Sequence, residues 1–196
     1  VVAPIAWFPF NYWIRGVKGA EIPFEENQEG LKVYHPRFFC TPVLGKCFDG
    51  LFYFLSLVFF VGRLRKQFAF DIIDAHFSYP DGVGAKLLSK MFRTPLFVTM
   101  RGTHDIRHAG YPLRKAQIQS ALKGADGVIC VSESLKKFAQ NLGVARERLR
   151  VIPNGIDENE FFPGDRLEAR QKLRLPADAT ILLSVGAFIE GKGHLR

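Results

Sequence analysis

Cysteine is scarce in this sequence, with only Cys40, Cys47 and Cys130 among 196 residues. Three thiols so far apart are too few for a disulfide framework or a four-cysteine zinc site. A Ser-His-Asp order and a cysteine nucleophile elbow are also missing, which argues against the common covalent hydrolases. The simplest interpretation is a protein of a reducing compartment, and we expect it in the cytoplasm.

A hydrophobic run of membrane-spanning length is missing too. The main apolar stretch, residues 51–62 (LFYFLSLVFFVG), is shorter than the roughly 20 residues that a spanning helix needs, and Arg63, Arg65 and Lys66 follow it. Three interpretations stay open: a core helix beneath a sheet, a helix in the membrane interface with its cationic end on lipid phosphates, and a spanning helix. An anionic membrane surface, at the inner face of the plasma membrane, is therefore a candidate partner.

Negative charge is in short supply, because 27 Lys and Arg residues stand against 19 Asp and Glu, a formal net charge of +8. The excess favours an anionic partner such as a nucleotide or a phospholipid head group. The basic residues are spread along the chain rather than grouped in a stripe, so nucleic acid is not an expected partner. Apolar residues make up 47% and charged residues 23%, which excludes a disordered or fibrous chain.

An initiating methionine and a charged leader are absent from the first residues, VVAP, which resemble the end of a buried strand. Near the other end, residues 181–186 (ILLSVG) have the pattern of a strand that enters a turn. A strand needs a paired neighbour. We therefore expect both termini to lie inside a longer protein, with the first strand of the N-terminal domain outside this sequence.

From residue 71 onward, short β-rich runs alternate with helical segments, which predicts a Rossmann-like α/β fold with a parallel sheet and helices on both faces. The first of these helices is expected to bury Leu87, Leu88 and Met91, and Ser132 is expected to cap a later one. The predicted strands are 71–76, 96–100, 127–131, 149–152 and 181–186, and the predicted helices are 81–92, 113–123, 133–142 and 166–173.

Ligands bind such sheets at the edge formed by the carboxyl ends of the strands. The candidate site residues are those that follow the strands: His76, the loop from Arg101 to Asp105, Ser132, and the pair Asn154-Gly155. Each has a plainer interpretation, since a strand-end histidine is often a structural hydrogen-bonding group and Asn-Gly is a common type I′ turn. A G-x-G-x-x-G phosphate loop is absent, and no metal site is predicted, because His104, His108 and Asp105 lack supporting carboxylates.

Three segments, in order, carry a resemblance to a known family. Residues 125–135 (ADGVICVSESL), 151–157 (VIPNGID) and 185–193 (VGAFIEGKG) resemble motifs of the retaining glycosyltransferases of family four, and RGTHD at 101–105 is similar to their RG(S/T)D loop. The stretches 4–9 and 33–49 resemble the bacterial exopolysaccharide branch. The resemblance implies the GT-B fold, with two Rossmann-like domains.

The implied domains are an acceptor-side domain over residues 1–155, a linker and helix over 156–178, and the truncated start of the donor domain over 179–196. The implied substrate is a UDP- or GDP-linked sugar, with no cofactor and no metal. In the family pattern Gly186, Lys192 and Gly193 bind the donor pyrophosphate. A lysine and backbone amides at that position stabilise the charge of the leaving group. Ala187 departs from the pattern, which usually has Arg there.

The resemblance also gives roles to the strand-end residues. His76 is implied as the catalytic residue that contacts the donor sugar near the scissile bond. Arg101, Asp105 and Ser132 are implied to form the acceptor-side edge, and Asn154 with Gly155 a hinge between the two domains.

The leading hypothesis is metal-independent transfer of a sugar from a nucleotide sugar to a lipid-linked or polysaccharide acceptor with retention. We expect this chain to be an incomplete and inactive fragment of that enzyme. The alternatives are a non-catalytic remnant of the fold that serves as a binding or assembly module, and a nucleotide-sugar epimerase.

Overall fold

The computed structural model describes residues 1–9, 22–41 and 45–186. It divides into two compact units, residues 1–154 and 155–196, which are described separately.

The N-terminal part of the first unit contains two small sheets. Strand β1 (Ile5–Trp7) pairs in parallel with β4 (Arg37–Phe39), and β2 (Glu25–Gln28) forms an antiparallel hairpin with β3 (Leu31–Tyr34). The hairpin turns at Glu29 and Gly30, which both have positive φ.

Helix α1 (Asp49–Gln67) follows and contains the apolar stretch of the sequence. One of its faces, with Tyr53, Leu57 and Val61, packs into a core shared with Phe38 of β4. The opposite face is apolar and exposed, so a core helix, one of the three interpretations left open, describes only one face of α1. The segment Lys46–Gln67 is also long and apolar enough to cross a membrane by length and composition.

The central sheet of the first unit has four parallel strands in the order β5-β6-β7-β8. Helices alternate with these strands, because continuous apolar runs form buried parallel strands and each crossover needs a covering helix. The bounds are β5 Ile73–His76, α2 Val83–Phe92, β6 Leu96–Met100, α3 Thr103–His108, α4 Pro112–Gly124, β7 Gly127–Cys130, α5 Glu133–Asn141 and β8 Leu149–Val151. The predicted α/β fold with a parallel sheet flanked by helices is therefore confirmed.

Two of the three residues predicted for the buried face of α2 differ in the structure. Leu88 is buried as predicted, but Leu87 is only half-buried and Met91 is 57% exposed, while Gly84 and Ala85 are buried as well. Gly84 lies on this face because α1 crosses closely: a Cβ atom there would lie 2.5 Å from the ring of Tyr53. The close crossing of the two helices, which spacing alone does not reveal, rotates the buried face away from Met91.

The second unit contains helix α6 (Arg166–Lys172), as predicted, capped by the Asp165 carboxylate. The strand predicted at 181–186 is wrong. Residues 181–185 form no strand, and Leu182 is 94% exposed. The physical reason is that a strand exists only through pairing with a neighbouring strand, and no strand among the described residues forms a ladder with this segment.

Candidate functional site

His76 ends β5 at the carboxyl edge of the central sheet, where it lies opposite Thr99 of β6. Its side chain is about half exposed (53%), and its Nε2 lies 3.2 Å from Oδ2 of Asp74. The other carboxylate oxygen of Asp74 accepts a hydrogen bond of 3.0 Å from the Thr99 hydroxyl. The Asp74 carboxylate therefore orients the imidazole, and the Thr99 hydroxyl in turn orients Asp74. Among the residues that the structure describes, none hydrogen-bonds Nδ1 of His76, so this nitrogen can bind a ligand.

Sequence reasoning missed Asp74 and Thr99. The signal was present, because residues two apart on a strand share a face, so Asp74 and His76 had to lie side by side. Thr99 could not be found in the same way, since it depends on the register between β5 and β6.

The residue after His76 has an unusual backbone. Phe77 has φ +76°, a region in which a non-glycine residue costs of order 1–3 kcal/mol. Its backbone N–H donates to Thr99 and its carbonyl accepts from Gly82, so the surrounding backbone holds this conformation. The chain thereby turns sharply at the end of β5, and the ring of Phe77 lies against the ring of His104 at 5.4 Å.

An apolar cavity of about 1010 Å³ opens beside His76. Its polar lining includes Asp74, His76, Tyr53 and Asp81. Burial raises the pKa of the Asp81 carboxyl to about 6. Burial also raises the pKa of Tyr53 well above its usual range. A carboxyl group in a cavity whose pKa is raised towards 7 is a frequent feature of functional sites.

Asp81 gives a prediction for stability against pH. Its folded pKa of about 6 lies above the unfolded value of 3.8, so the folded state binds the extra proton between these values and loses stability as pH rises through 6. Asp81→Asn should therefore be about as stable as wild type at pH 4 and about 1–3 kcal/mol more stable at pH 7. Urea unfolding at both pH values measures this. A variant that gains nothing between pH 4 and pH 7 would contradict it.

Asp105 is completely buried at the start of α3. Its Oδ1 accepts the backbone N–H of Ser78 at 2.6 Å, and its Oδ2 accepts those of Arg101 at 3.0 Å and Gly102 at 3.2 Å. The carboxylate therefore joins the turn after β5 to the loop after β6. Asp105 thus lies in the predicted acceptor-side edge, where its buried carboxylate acts as a positioning residue, and the role of this edge in acceptor binding stays a prediction.

The other predicted acceptor-side residues have different surroundings. The Arg101 side chain is exposed at the edge of the sheet, next to its backbone contact with Asp105. The hydroxyl of Ser132 caps α5 by accepting the backbone N–H of Leu135 at 3.4 Å, and it lies 2.9 Å from the hydroxyl of Ser134. The capping role of Ser132 is thus as predicted, and its hydroxyl is engaged in that role.

Helices α3 and α4 bring a further group of polar rings together beside this loop. Nε2 of His104 lies 3.1 Å from Nε2 of His108, and Nδ1 of His108 lies 3.0 Å from Nη1 of Arg114. The guanidinium of Arg114 stacks 4.1 Å from the centre of the Tyr111 ring. We call His104, His108, Tyr111 and Arg114 the α3–α4 cluster. Within the described ranges, no three His, Cys, Asp or Glu side chains meet in a way that could hold a metal ion.

The remaining predicted residues lie at or beyond the end of the first unit. The boundary between the units falls between Asn154 and Gly155. Neither residue has positive φ, so the type I′ turn is wrong, and the hinge stays a prediction. Gly186 is an exposed residue of the second unit, while Lys192 and Gly193 lie outside the described residues, and the donor-binding role of all three stays a prediction.

The model of Glycosyltransferase Family 4 matches residues 21–160, well over half of the chain. The chain therefore belongs to glycosyltransferase family 4.

The chain resembles several curated proteins of bacteria. It is 32% identical over 144 residues to D-inositol 3-phosphate glycosyltransferase 1 of Catenulispora acidiphila, a match that covers 69% of this chain and 34% of that protein. It is 28% identical over 197 residues to the teichuronic acid biosynthesis glycosyltransferase TuaC of Bacillus subtilis, a match that covers 97% of this chain and 48% of that protein. The chain thus spans between about a third and a half of the length of these relatives.

Solved structures show the same fold. Sucrose-phosphate synthase from Thermosynechococcus elongatus matches with a TM-score of 0.57 at 17% identity, over 81% of this chain and 41% of that one. Anabaena Alr3699/HepE, in complex with UDP, matches with a TM-score of 0.50 at 23% identity, over 72% of this chain and 36% of that one. At these identities the likeness concerns the fold alone.

Proposed function

We propose that the chain is the acceptor-side half of a retaining glycosyltransferase that moves a sugar from a nucleotide donor to an acceptor. The observation that carries the proposal is His76, half exposed at the carboxyl edge of the sheet in a family 4 chain and oriented by Asp74. Ligands of parallel α/β sheets bind at this edge. An imidazole there can hydrogen-bond the donor sugar as charge develops at the scissile bond.

The donor is a UDP- or GDP-linked sugar in this proposal. UDP is bound by the Anabaena neighbour, which supports a nucleotide site in this fold. The pyrophosphate contacts belong to Gly186, Lys192 and Gly193, and the donor-side half of the enzyme continues from there. The acceptor is a lipid-linked or growing saccharide in this proposal, and the name of TuaC, which refers to teichuronic acid biosynthesis, supports a cell-envelope polymer.

A transfer assay tests this function. The protein as its gene encodes it is incubated with radiolabelled UDP-glucose, UDP-galactose or GDP-mannose, and with bacterial lipid extract or oligosaccharides as acceptors. We expect label in the acceptor from one donor, an unchanged anomeric configuration by NMR, and full activity in EDTA. Nucleotide binding without transfer or hydrolysis would support a non-catalytic module instead. A free nucleotide sugar with an inverted ring carbon would support an epimerase.

We further propose that the enzyme works in the cytoplasm on the inner face of the plasma membrane, through the exposed face of α1. Phe59 is 80% exposed, and the stripe it belongs to is followed one turn later by outward-facing Arg63 and Lys66. Arg65 faces inward, where it donates to Thr94 at 2.9 Å, so it is not one of the lipid-facing cations. The apolar residues of this stripe are Phe48, Leu51, Leu55 and Phe59.

The exposed face of α1 combines an apolar surface with neighbouring cations, and both favour binding to an anionic membrane. A buried apolar side chain gains about 1.5–3 kcal/mol, and each Lys or Arg near an anionic leaflet adds about 1 kcal/mol. Exposed apolar surface of this extent is uncommon on soluble monomers. A helix with this pattern lies in the plane of the interface rather than across it, because its other face is in the core.

Vesicle sedimentation checks the proposal. Replacing Leu55 and Phe59 together by serine should weaken binding to phosphatidylglycerol-rich vesicles by about 100-fold or more, because two membrane-buried side chains are lost. The matched control changes the exposed Leu113 and Phe161 to serine and should bind like wild type. Equal binding by both double variants would reject the α1 surface, and so would equal binding of the wild type to neutral phosphatidylcholine vesicles.

A further inference from the structure

The α3–α4 cluster has a hydrogen-bond polarity that follows from its atoms. Arg114 carries only donors, so it must donate to Nδ1 of His108, which therefore has no proton. The neutral ring then carries its proton on Nε2 and donates it to Nε2 of His104. His104 is left with its Nδ1–H. The cluster thus presents donors from both ends, the guanidinium at one and an imidazole N–H at the other.

The protonation state of His108 agrees with this arrangement. Burial, together with the neighbouring His104 and Arg114, lowers the pKa of His108 to about 4. Lys46 acts in the same direction, and only Asp105 opposes them. His108 is therefore neutral at pH 7 and serves as the link between the two donor groups.

The positive charge of the cluster has no counter-ion in the part of the chain that the structure describes. No carboxylate lies within ion-pair distance of Arg114 there. The nearby carboxylates are engaged elsewhere: Asp105 accepts three backbone N–H groups, and Asp49 accepts from Thr41 and Lys46. Between residues 101 and 115 the sequence has four Lys or Arg residues against that single buried aspartate. The cluster is therefore a cationic surface that lacks an anion.

We propose that the α3–α4 cluster is the subsite for a phosphate group on the acceptor, a proposal that rests on the function proposed above. The guanidinium carbon of Arg114 lies over the Tyr111 ring, and Nη1 donates to His108. The Nε–H and Nη2–H groups remain as a fork that can bind two phosphate oxygens. The Nδ1–H of His104 supplies a further donor.

The position of the cluster supports an acceptor group rather than the donor pyrophosphate. It is built entirely from helices that follow β6, within the acceptor-side unit. The ring of Phe77 joins it to the end of β5, because Phe77 follows His76 in the chain and touches His104 at 5.4 Å. An acceptor anchored here by its phosphate would hold its hydroxyl groups towards His76, where the sugar is transferred.

Phosphate binding to the chain itself tests the subsite. Inorganic phosphate is titrated at pH 7 and constant ionic strength while the imidazole proton signals of His104 and His108 are followed by NMR. We expect saturable binding, and about 10- to 100-fold weaker binding for Arg114→Gln, since a charge-assisted hydrogen-bond pair is lost. Arg146→Gln, which removes an exposed arginine elsewhere, is the matched control and should bind like wild type.

A second variant keeps the test independent of folding at position 114. His104→Phe preserves a ring against Phe77 and removes the donor, and it should bind phosphate several-fold more weakly. Unchanged affinity in both cluster variants would overturn the proposal. An equal loss in Arg146→Gln would overturn it as well, because the binding would then follow net charge alone.

The source of the phosphate is decided by two further ligands. Glucose 6-phosphate represents a soluble phosphorylated acceptor, and vesicles with phosphatidic acid in phosphatidylcholine represent a lipid phosphate. Binding of either one that depends on Arg114 supports the subsite.

In the transfer assay, Arg114→Gln should raise KM for the acceptor about 10- to 100-fold and leave KM for the donor unchanged. Phosphate binding at Arg114 without any transfer would contradict the proposed function and support the anion site. Transfer that is unaffected by the substitution would contradict the site alone.

Discussion

Replacing Asp105 by asparagine should lower the free energy of unfolding by about 2–4 kcal/mol, because hydrogen bonds to a buried charged group contribute about 1.5–3 kcal/mol each. The carboxylate accepts three backbone N–H groups from two segments of the chain. An asparagine side chain has one acceptor oxygen, and its amide would face at least one of these donors. Loss of the contacts would leave buried N–H groups without partners.

Urea unfolding followed by circular dichroism measures the effect of Asp105→Asn. Asp126→Asn is the matched control, since exposed Asp126 accepts a single backbone N–H, that of Leu96 at 2.9 Å, and asparagine can still accept it. The control should stay within about 1 kcal/mol of wild type. If both variants unfold at the same urea concentration, Asp105 is not the residue that holds the two loops together.

The largest functional effect is expected at His76. Replacing it by alanine should lower kcat by about 100- to 1000-fold, the range seen when a single group that stabilises transition-state charge is removed. Folding should be unaffected, because the imidazole is half exposed and packs in neither core. The measurement is the transfer assay with the donor that gives activity.

Two further variants define the role of His76. Asp74→Asn keeps the imidazole but weakens its orientation, so we expect a smaller loss of kcat, about 10-fold, with little change in KM for the donor. Asp71→Asn removes an exposed carboxylate just before β5 and should behave like wild type. A His76→Ala enzyme with more than half of the wild-type kcat would remove the histidine from the chemistry.

The central sheet could be predicted because its signals are local. The strands at 96–100 and 127–130 are apolar runs bounded by loop residues, and the capping serine and terminal glycine around α5 also lie next to it in the sequence. The segment 181–186 has the same local pattern and forms no strand. The difference is the neighbouring strand: β6 is paired on both sides, whereas no strand among the described residues forms a ladder with 181–185.

The site was predicted less completely than the sheet. His76 and Arg101 lie at the carboxyl edge, where the order of strands and helices required them. Asp105 was placed at this edge by the resemblance, but its contacts with the backbone of both loops were not predicted. The α3–α4 cluster was not predicted, because Arg114 belongs to a different helix from His104 and His108. Only packing of the two helices brings Arg114 to 3.0 Å from His108, which in turn lies 3.1 Å from His104.

The sequence alone was enough to determine the alternation of strands and helices, the edge at which ligands bind and the resemblance to family 4, because hydrophobic periodicity and motif order are properties of neighbouring residues. Only the tertiary structure decided which polar side chains at that edge are free for a ligand. The carboxylate of Asp105 and the hydroxyl of Ser132 satisfy backbone N–H groups, whereas His76 keeps its second ring nitrogen and Arg114 keeps N–H donors available. The reason is that a buried backbone group must find a partner, and that partner is known only once the chain is folded.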